Sequence, residues 1–380
     1  MKRVLFHVQH LLGIGHLKRA EILAAAMAAE GFEVTVAYGG HPLAEAPFKG
    51  MKLAALPPAS IADEDFSSLL DATGRAVDAA WKARRRDALI DLYRSVRPDM
   101  LLIELFPFGR RQFRFELLPL LDAAYATSPR PLVACSVRDV LVTRKSGRAE
   151  EAVETSRRYF DAVLVHGDPA LIPFDATFPL VDQIANLVHH TGYVSDTAAG
   201  AAAEETGEVI VSVGGGAVGA PLLLAAMEAR ALTPLAGNVW RFLTGPNLPE
   251  DLFRQLAAAA GEGVIVERFR ADFASRLRGS ALSISQAGYN TIMDILRAGA
   301  RALVIPYEAK GETEQRLRAE ILAAKGFLTL LPAADLSPGR LAEAVGAALA
   351  APPSRPEVDL SGAATTARLL RKLSDRLAPP

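Results

Sequence analysis

Short apolar runs without polar alternation recur along this chain, each followed by a longer stretch with helical spacing, and that pairing leaves few folds open. RVLFHV, EVTVAY, DMLLIEL, PLVACSV and DAVLVHG come first; VIVSVGGG, VWRFLTG, GVIVERF, ALSISQAG and RALVIPY follow. Strands read this way when both of their faces are buried, as in a parallel sheet covered by crossover helices. The intervening segments suit that role. One begins at His16 and runs through LKRAEILAAAMAAE to Gly31, and another, DAAWKARRRDALIDLYRSV, stops before Pro98. The class expected is α/β, with parallel sheets.

The pattern pauses once, at HHTGYVSDTAAGAAAEETGE, where alanine, glycine and acidic residues replace hydrophobic periodicity. A chain of 380 residues is too long for one ordinary core. We therefore expect a first α/β domain over 1–195, a linker over 196–207 and a second α/β domain over 208–355. A terminal helical segment over 356–380 is expected to fold back on the first domain.

Composition removes several functions. Net charge is −1, so no global field attracts nucleic acid, and no basic stripe supplies a local one. The single cysteine, Cys135, lies inside PLVACSV, which excludes a disulfide framework and reads as a core thiol. No stretch approaches the ~20 apolar residues of a spanning helix. Lys2 and Arg3 precede an apolar segment that is short, broken by histidines and without a cleavage signature. A cytoplasmic protein is expected.

In open parallel sheets, ligands bind beyond the carboxyl ends of the strands, where loops lead into helix N-termini. Three such turns carry suggestive residues. GIGH follows RVLFHVQHLL: Gly13 and Gly15 let the backbone approach a ligand, and His16 stands where a helix dipole lowers an imidazole pKa. It reads equally as a general base or as a helix cap. SVGGGAVGAP, with Gly214, Gly215 and Gly216, offers open amides suited to phosphate oxygens but lacks the lysine and hydroxyl of a Walker loop. The third is SISQAGYNTIMDILRAGARALVIPYEAKGETEQRLRA. Ser285, Gln286, Gly288, Tyr289, Asn290 and Thr291 crowd a helix start, and Asp294, one turn in, is placed to accept ribose hydroxyls. Lys310, Glu312, Glu314 and Gln315 follow the next strand, where polar side chains could read sugar hydroxyls; for Glu314 and Gln315 the alternative is a solvated first helical turn.

Toward an acceptor, Glu104 ends DMLLIEL, and Arg138 with Asp139 follow PLVACSV; either carboxylate is a candidate to orient His16, and ion pairing with nearby arginines is the plainer alternative. FPFGRRQFRFELLPLL mixes aromatics and arginines, either as a membrane-surface segment or as an ordinary buried loop and helix. Arg84, Arg85 and Arg86 read as a solvated helix face.

A GIGH turn opening the first domain, a glycine-rich turn opening the second, and SQAGYNTIMDILRAGARALVIPYEAKGETEQ together resemble the GT-B glycosyltransferases, in particular those of the family 28 type. The resemblance implies two Rossmann-like domains facing across a cleft. It makes His16 the base, assisted by Asp139 or Glu104, and assigns the nucleotide to Gly13, Gly15, Gly214, Gly215, Gly216, Ser285, Gln286, Gly288, Tyr289, Asn290, Thr291 and Asp294. Phe269 and Arg270 fall where the base is clamped, and Glu314 and Gln315 where the donor sugar is contacted. It further implies an inverting, metal-independent transfer from a nucleotide diphosphate sugar, with UDP as the expected carrier. That sugar is a co-substrate, and no separate cofactor is expected. The acceptor is a small molecule, a peptide or a lipid carrier, and peripheral membrane contact is compatible with the last. A hydrolase of the same fold, with water as acceptor, is the alternative; a non-catalytic nucleotide-sugar sensor is another.

Overall fold

All ten apolar runs form strands in the computed structural model, which describes every residue except 10–14, 42–47, 62–67, 142–146, 196–204, 215–217, 271, 309–312, 353–356 and 378–380. The chain divides into two compact units, one made of Met1–Asp196 with Asp359–Pro380 and the other of Thr197–Val358.

The first unit contains β1 (Arg3–Val8), α1 (Gly15–Ala29), β2 (Glu33–Tyr38), β3 (Lys52–Ala55), β4 (Ser60–Ile61), β5 (Leu69–Leu70) and α2 (Ala79–Val96). It continues with β6 (Met100–Glu104), α3 (Arg114–Ala126), β7 (Leu132–Arg138), α4 (Arg148–Tyr159), β8 (Ala162–His166) and β9 (Val188–His190). Seven strands form a parallel sheet in the order β3-β2-β1-β6-β7-β8-β9, with β4 and β5 a separate antiparallel pair. The strand order reverses at β1, between β2 and β6, the kind of position at whose carboxyl end open α/β sheets bind ligands.

The second unit contains β10 (Val209–Ser212), α5 (Ala220–Ala229), β11 (Trp240–Leu243), α6 (Glu250–Ala258), β12 (Val264–Glu267), α7 (Phe273–Gly279) and β13 (Leu282–Ser285). α8 (Tyr289–Ala298), β14 (Ala302–Val304), α9 (Glu314–Ala324), β15 (Thr329–Leu330) and α10 (Pro338–Ala350) complete it. Its parallel sheet runs β12-β11-β10-β13-β14-β15, and the order reverses at β10. Val209, Val211, Leu282 and Ile284 bury one face of that sheet against Leu222, Leu223 and Ala226 of α5 and Leu341 and Val345 of α10.

The last helix, α11 (Gly362–Leu377), packs on α1 within the first unit, where Ala363, Ala367 and Leu370 join Leu17, Leu23 and Met27 in one apolar cluster. Gly362 starts this helix against the backbone carbonyl of Gly192, which a Cβ would approach to 2.3 Å, so no larger residue fits without moving the chain.

Helix α2 corrects one sequence reading. Asp78 caps it by accepting the Trp81 amide at 2.6 Å, and its buried face is Trp81, Arg85, Leu89 and Tyr93, one residue per turn. Arg85 therefore points inward, completely buried, instead of joining Arg84 on a solvated face. Its Nε and Nη2 bind the two carboxylate oxygens of the equally buried Glu116 at 2.6 and 3.0 Å, and His7 lies 3.3 Å from Glu116. FPFGRRQFRFELLPLL likewise serves the interior: Phe106, Phe108, Phe113, Leu117 and Leu120 are all core residues. Among the described residues, no helix is long and apolar enough to cross a membrane.

Candidate functional site

The carboxyl ends of the central strands of the first sheet gather charge. His16 lies in the first turn of α1, and Glu104 ends the neighbouring pair of strand and loop at β6. Glu104 Oε1 stands 2.6 Å from His16 Nδ1, while Arg19, one turn further along α1, donates to the same oxygen at 2.7 Å. Arg110 Nη2 lies 3.5 Å from the other carboxylate oxygen. From the end of β7, Arg138 Nη2 approaches His16 Nε2 at 3.0 Å. A carboxylate can only accept, so Nδ1 carries the proton and Nε2 the lone pair. His16 retains 15% of its side-chain exposure, whereas Glu104 is sealed at 1%.

Burial disfavours the charged imidazole and lowers the His16 pKa from 6.5 to about 3; Glu104 opposes that shift and Arg138 reinforces it. Burial alone would raise the Glu104 pKa, but His16, Arg110 and Arg19 together hold it well below the usual carboxylate range. Of the two carboxylates expected near His16, Glu104 is the one bonded to it; the Asp139 carboxylate accepts the Val140 amide at 2.8 Å. Arg19 and Arg110 were not singled out in the sequence. The His16-to-Arg19 spacing of one helical turn was the available signal for the first.

A second imidazole, His166 at the end of β8, is fully enclosed between Ser136 Oγ at 2.8 Å and Thr191 Oγ1 at 2.9 Å, and burial lowers its pKa to about 3 as well. Both histidines are neutral when folded and titrate near 6.5 when unfolded, so below that pH the unfolded chain binds more protons. Stability is then expected to fall as pH drops from about 6.5 toward 3, each histidine adding up to about 1.4 kcal/mol per pH unit. Urea midpoints measured at pH 7.0 and 5.3, above the carboxylate range, check this; equal midpoints would contradict it.

In the second unit, the two turns at the strand reversal converge. Gln286 sends its amide to the Ser212 carbonyl and its side chain to the Val218 carbonyl, each at 3.3 Å, which ties the turn after β13 to the turn after β10. Gly214 adopts φ +67°, and a Cβ placed on either Gly214 or Gly288 would come 4.0 Å from Thr291 Oγ1. Gly219 precedes α5 where a Cβ would strike Val213 at 2.2 Å. Gly288 is the N-cap of α8, so the amides of Tyr289, Asn290 and Thr291 lie in the turn that lacks intrahelical acceptors. Ser212 and Ser285 stand opposite one another in register at the strand ends, buried, with hydroxyls that have no hydrogen-bond partner among the described residues. Asp294 is half-buried on α8. Gly13, Gly215, Gly216, Lys310 and Glu312 lie outside the described residues, and Gly15 is the first residue of α1.

Glu314 is buried, not part of a solvated turn. Arg318, fully enclosed one turn later, donates to Glu314 Oε1 at 2.9 Å and to the Ala287 carbonyl at 3.3 Å, and covers the Tyr289 ring at 5.5 Å. That arginine couples the start of α9 to the α8 turn, and sequence reasoning passed over it although its four-residue spacing from Glu314 was visible. Gln315 accepts the Tyr307 amide at 3.0 Å.

Phe269 is 73% exposed, while Arg270 binds both oxygens of Asp272 at 2.6 and 2.8 Å. These belong to a closed ring of alternating charge, Glu208–Arg241–Glu267–Arg270–Asp272–Arg276, in which Arg276 returns to Glu208 at 3.2 Å. The ring anchors the loop between β12 and α7 on the sheet. Among the described residues no three His, Cys, Asp or Glu side chains are grouped to share a metal ion.

Residues 210–370 match the glycosyltransferase family 28 C-terminal domain. The UDP-N-acetylglucosamine–N-acetylmuramyl-(pentapeptide) pyrophosphoryl-undecaprenol N-acetylglucosamine transferase of Mesorhizobium japonicum is 34% identical over 43% of this chain and 46% of its own length. The chain thus spans about half of that relative. The like-named enzyme of Nitrosospira multiformis is 27% identical over 82% of this chain and 78% of its own. The fold is shared with the calicheamicin glycosyltransferase CalG4 (TM-score 0.68, 16% identity, all of both chains) and with Acinetobacter baumannii MurG (TM-score 0.61, 16% identity, 98% of this chain and 100% of that one). The spinosyn rhamnosyltransferase SpnG, solved with thymidine diphosphate, superposes with TM-score 0.62 at 19% identity over 99% of this chain and 96% of its own. These likenesses place the two parallel-sheet α/β units in the GT-B fold.

Proposed function

From a chain that carries a family 28 C-terminal domain and resembles the GT-B glycosyltransferases, we propose an inverting glycosyltransferase that takes its sugar from a nucleotide diphosphate donor, with UDP as the carrier. The observation that carries the reading is the imidazole of His16, whose Nδ1 is committed to Glu104 so that Nε2 is its proton-accepting atom.

In this reading Nε2 takes the proton of the acceptor hydroxyl or amine as that atom attacks the anomeric carbon. The bond from the anomeric carbon to the diphosphate oxygen breaks, and its electron pair leaves with the nucleotide. One displacement inverts the configuration. The turns at Gly214 and Gly288, with the α8 dipole, are suited to stabilise the departing charge, as preorganised amides do in other anion sites. Asp294 is the candidate partner of the ribose hydroxyls, the exposed ring of Phe269 of the base, and Glu314 with Gln315 of the sugar. The names of the Mesorhizobium japonicum and Nitrosospira multiformis transferases include pyrophosphoryl-undecaprenol, and a lipid-linked acceptor is one class to test here, beside peptides and small molecules.

Binding is tested by thermal shift against UDP, TDP and their sugars, since a ligand at 100 times its Kd adds about 2.7 kcal/mol of stability. Turnover is expected to persist in a chelator. Loss of activity with EDTA and recovery with manganese would overturn metal independence, and rapid release of UDP and free sugar without any acceptor would replace transfer by hydrolysis.

A further inference from the structure

A fully enclosed guanidinium sits inside the second unit, and the proposed chemistry gives it no task. Arg318 of α9 joins two elements that both belong to the candidate donor site. Its Nη2 donates to Glu314 Oε1 at 2.9 Å, in the first turn of its own helix. Its Nη1 donates at 3.3 Å to the carbonyl of Ala287, one residue ahead of the α8 N-cap, and the group lies 5.5 Å from the ring centroid of Tyr289, the first residue of α8. A Glu and an Arg four apart on a helix ordinarily form an exposed pair that contributes little. Here both are buried, and a buried pair is weak evidence for stability, since apolar residues of like volume often serve as well. Apolar residues, however, cannot hold two chain segments at one spacing by directed bonds, whereas the rigid fork of a guanidinium can. Each side of the contact is itself tied down. Gln286 bonds the Ser212 and Val218 carbonyls ahead of α8, and Gln315 at the start of α9 accepts the Tyr307 amide after β14 at 3.0 Å.

We propose that Arg318 is a positioning residue that sets the first turn of α9 against the α8 turn, and through them sets the donor's sugar against its diphosphate. This rests on the glycosyltransferase reading, in which the α8 turn meets the diphosphate while Glu314 and Gln315 meet the sugar. The bond that breaks joins those two parts of the donor. Its alignment depends on the spacing of the two holds, and misplacement by about 1 Å can cost ~10²-fold in rate. Arg318, being enclosed, acts through the two turns and not by touching the donor. UDP alone engages the α8 turn without α9, so its affinity does not depend on this arginine; a UDP-sugar engages both.

The test needs no acceptor. UDP, UDP-glucose and UDP-N-acetylglucosamine are titrated calorimetrically into the wild type, Arg318→Met and Arg318→Lys, and the quantity read is the ratio of a UDP-sugar's Kd to that of UDP. For the sugar that the wild type binds more tightly, Arg318→Met should raise this ratio by about tenfold while the Kd of UDP stays within about twofold. Arg318→Lys keeps a charge beside Glu314, which guards against a failure to fold, but replaces the fork by one ammonium; its ratio should rise by less. Leu322→Val, at a fully buried position of the same helix, should lower the melting temperature and leave the ratio alone. A ratio within about twofold of wild type in both arginine variants, or one that rises equally in Leu322→Val, overturns the proposal. If the wild type binds UDP and the ratio ignores Arg318, the positioning role falls and the glycosyltransferase reading stands. A wild type that binds none of the three ligands removes the UDP-dependent reading and the positioning role with it.

Discussion

Replacing His16 by alanine is expected to cut turnover by ~10²–10⁴-fold while nucleotide affinity stays within a factor of about two, because general base catalysis contributes about that much. The reasoning runs through the tautomer. Glu104 accepts from Nδ1 at 2.6 Å, so the ring presents Nε2, and alanine removes both the acceptor atom and the means of aiming it. Glu104 keeps Arg19 and Arg110 after the change, so no buried charge is stranded and the unit should fold as before. Donor contacts belong to the turns at Gly214 and Gly288, in a different unit, which is why affinity for UDP should survive. Steady-state kinetics with calorimetric titration of UDP distinguishes the cases. Full turnover in His16→Ala removes the residue from the mechanism, and a loss confined to UDP binding would place it on the donor.

Arg85→Met is expected to destabilise the first unit by about 3–5 kcal/mol, the range for removing one partner of a buried ion pair. Glu116 would remain at 0% exposure with His7, 3.3 Å away, as its remaining ion-pair partner among the described residues, and Gln9 and the carbonyls of Gly39 and Pro57 would lose a donor each. Thermal unfolding should move by on the order of 10 °C. Arg84→Ala, on an exposed position of the same helix, should move it by less than about 0.5 kcal/mol. The double variant Arg85→Met with Glu116→Leu should recover a large part of the loss, since it removes both charges together. If Arg85→Met and Arg84→Ala unfold alike, the buried pair contributes nothing.

The same residue shows why charge runs mislead. Three consecutive arginines read as solvent-facing from composition, yet the four-residue spacing of Trp81, Arg85, Leu89 and Tyr93 assigns the middle one to the interior face. Glu314 repeats the lesson. A glutamate in a first helical turn is ordinarily exposed, and only the partner Arg318, reaching the Ala287 carbonyl as well, accounts for its burial. Edge strands β3 and β9 went unseen because strands exposed along one side carry no continuous apolar run.

What the amino-acid order determined by itself was the class and the candidate turns: strands buried on both faces must be uninterruptedly apolar, and in open parallel sheets the glycines and polar groups proposed to meet a ligand are sought just after them. Both are local properties, legible at periods of two to four residues. Which groups meet was decided in three dimensions. Glu104 rather than Asp139 on His16, Arg138 across its lone pair, and a ring of six charges closing on Glu208 all join residues from separate strands and loops. Their pairing depends on strand order and on the depth at which each charge loses water, and neither is written in the spacing along the chain.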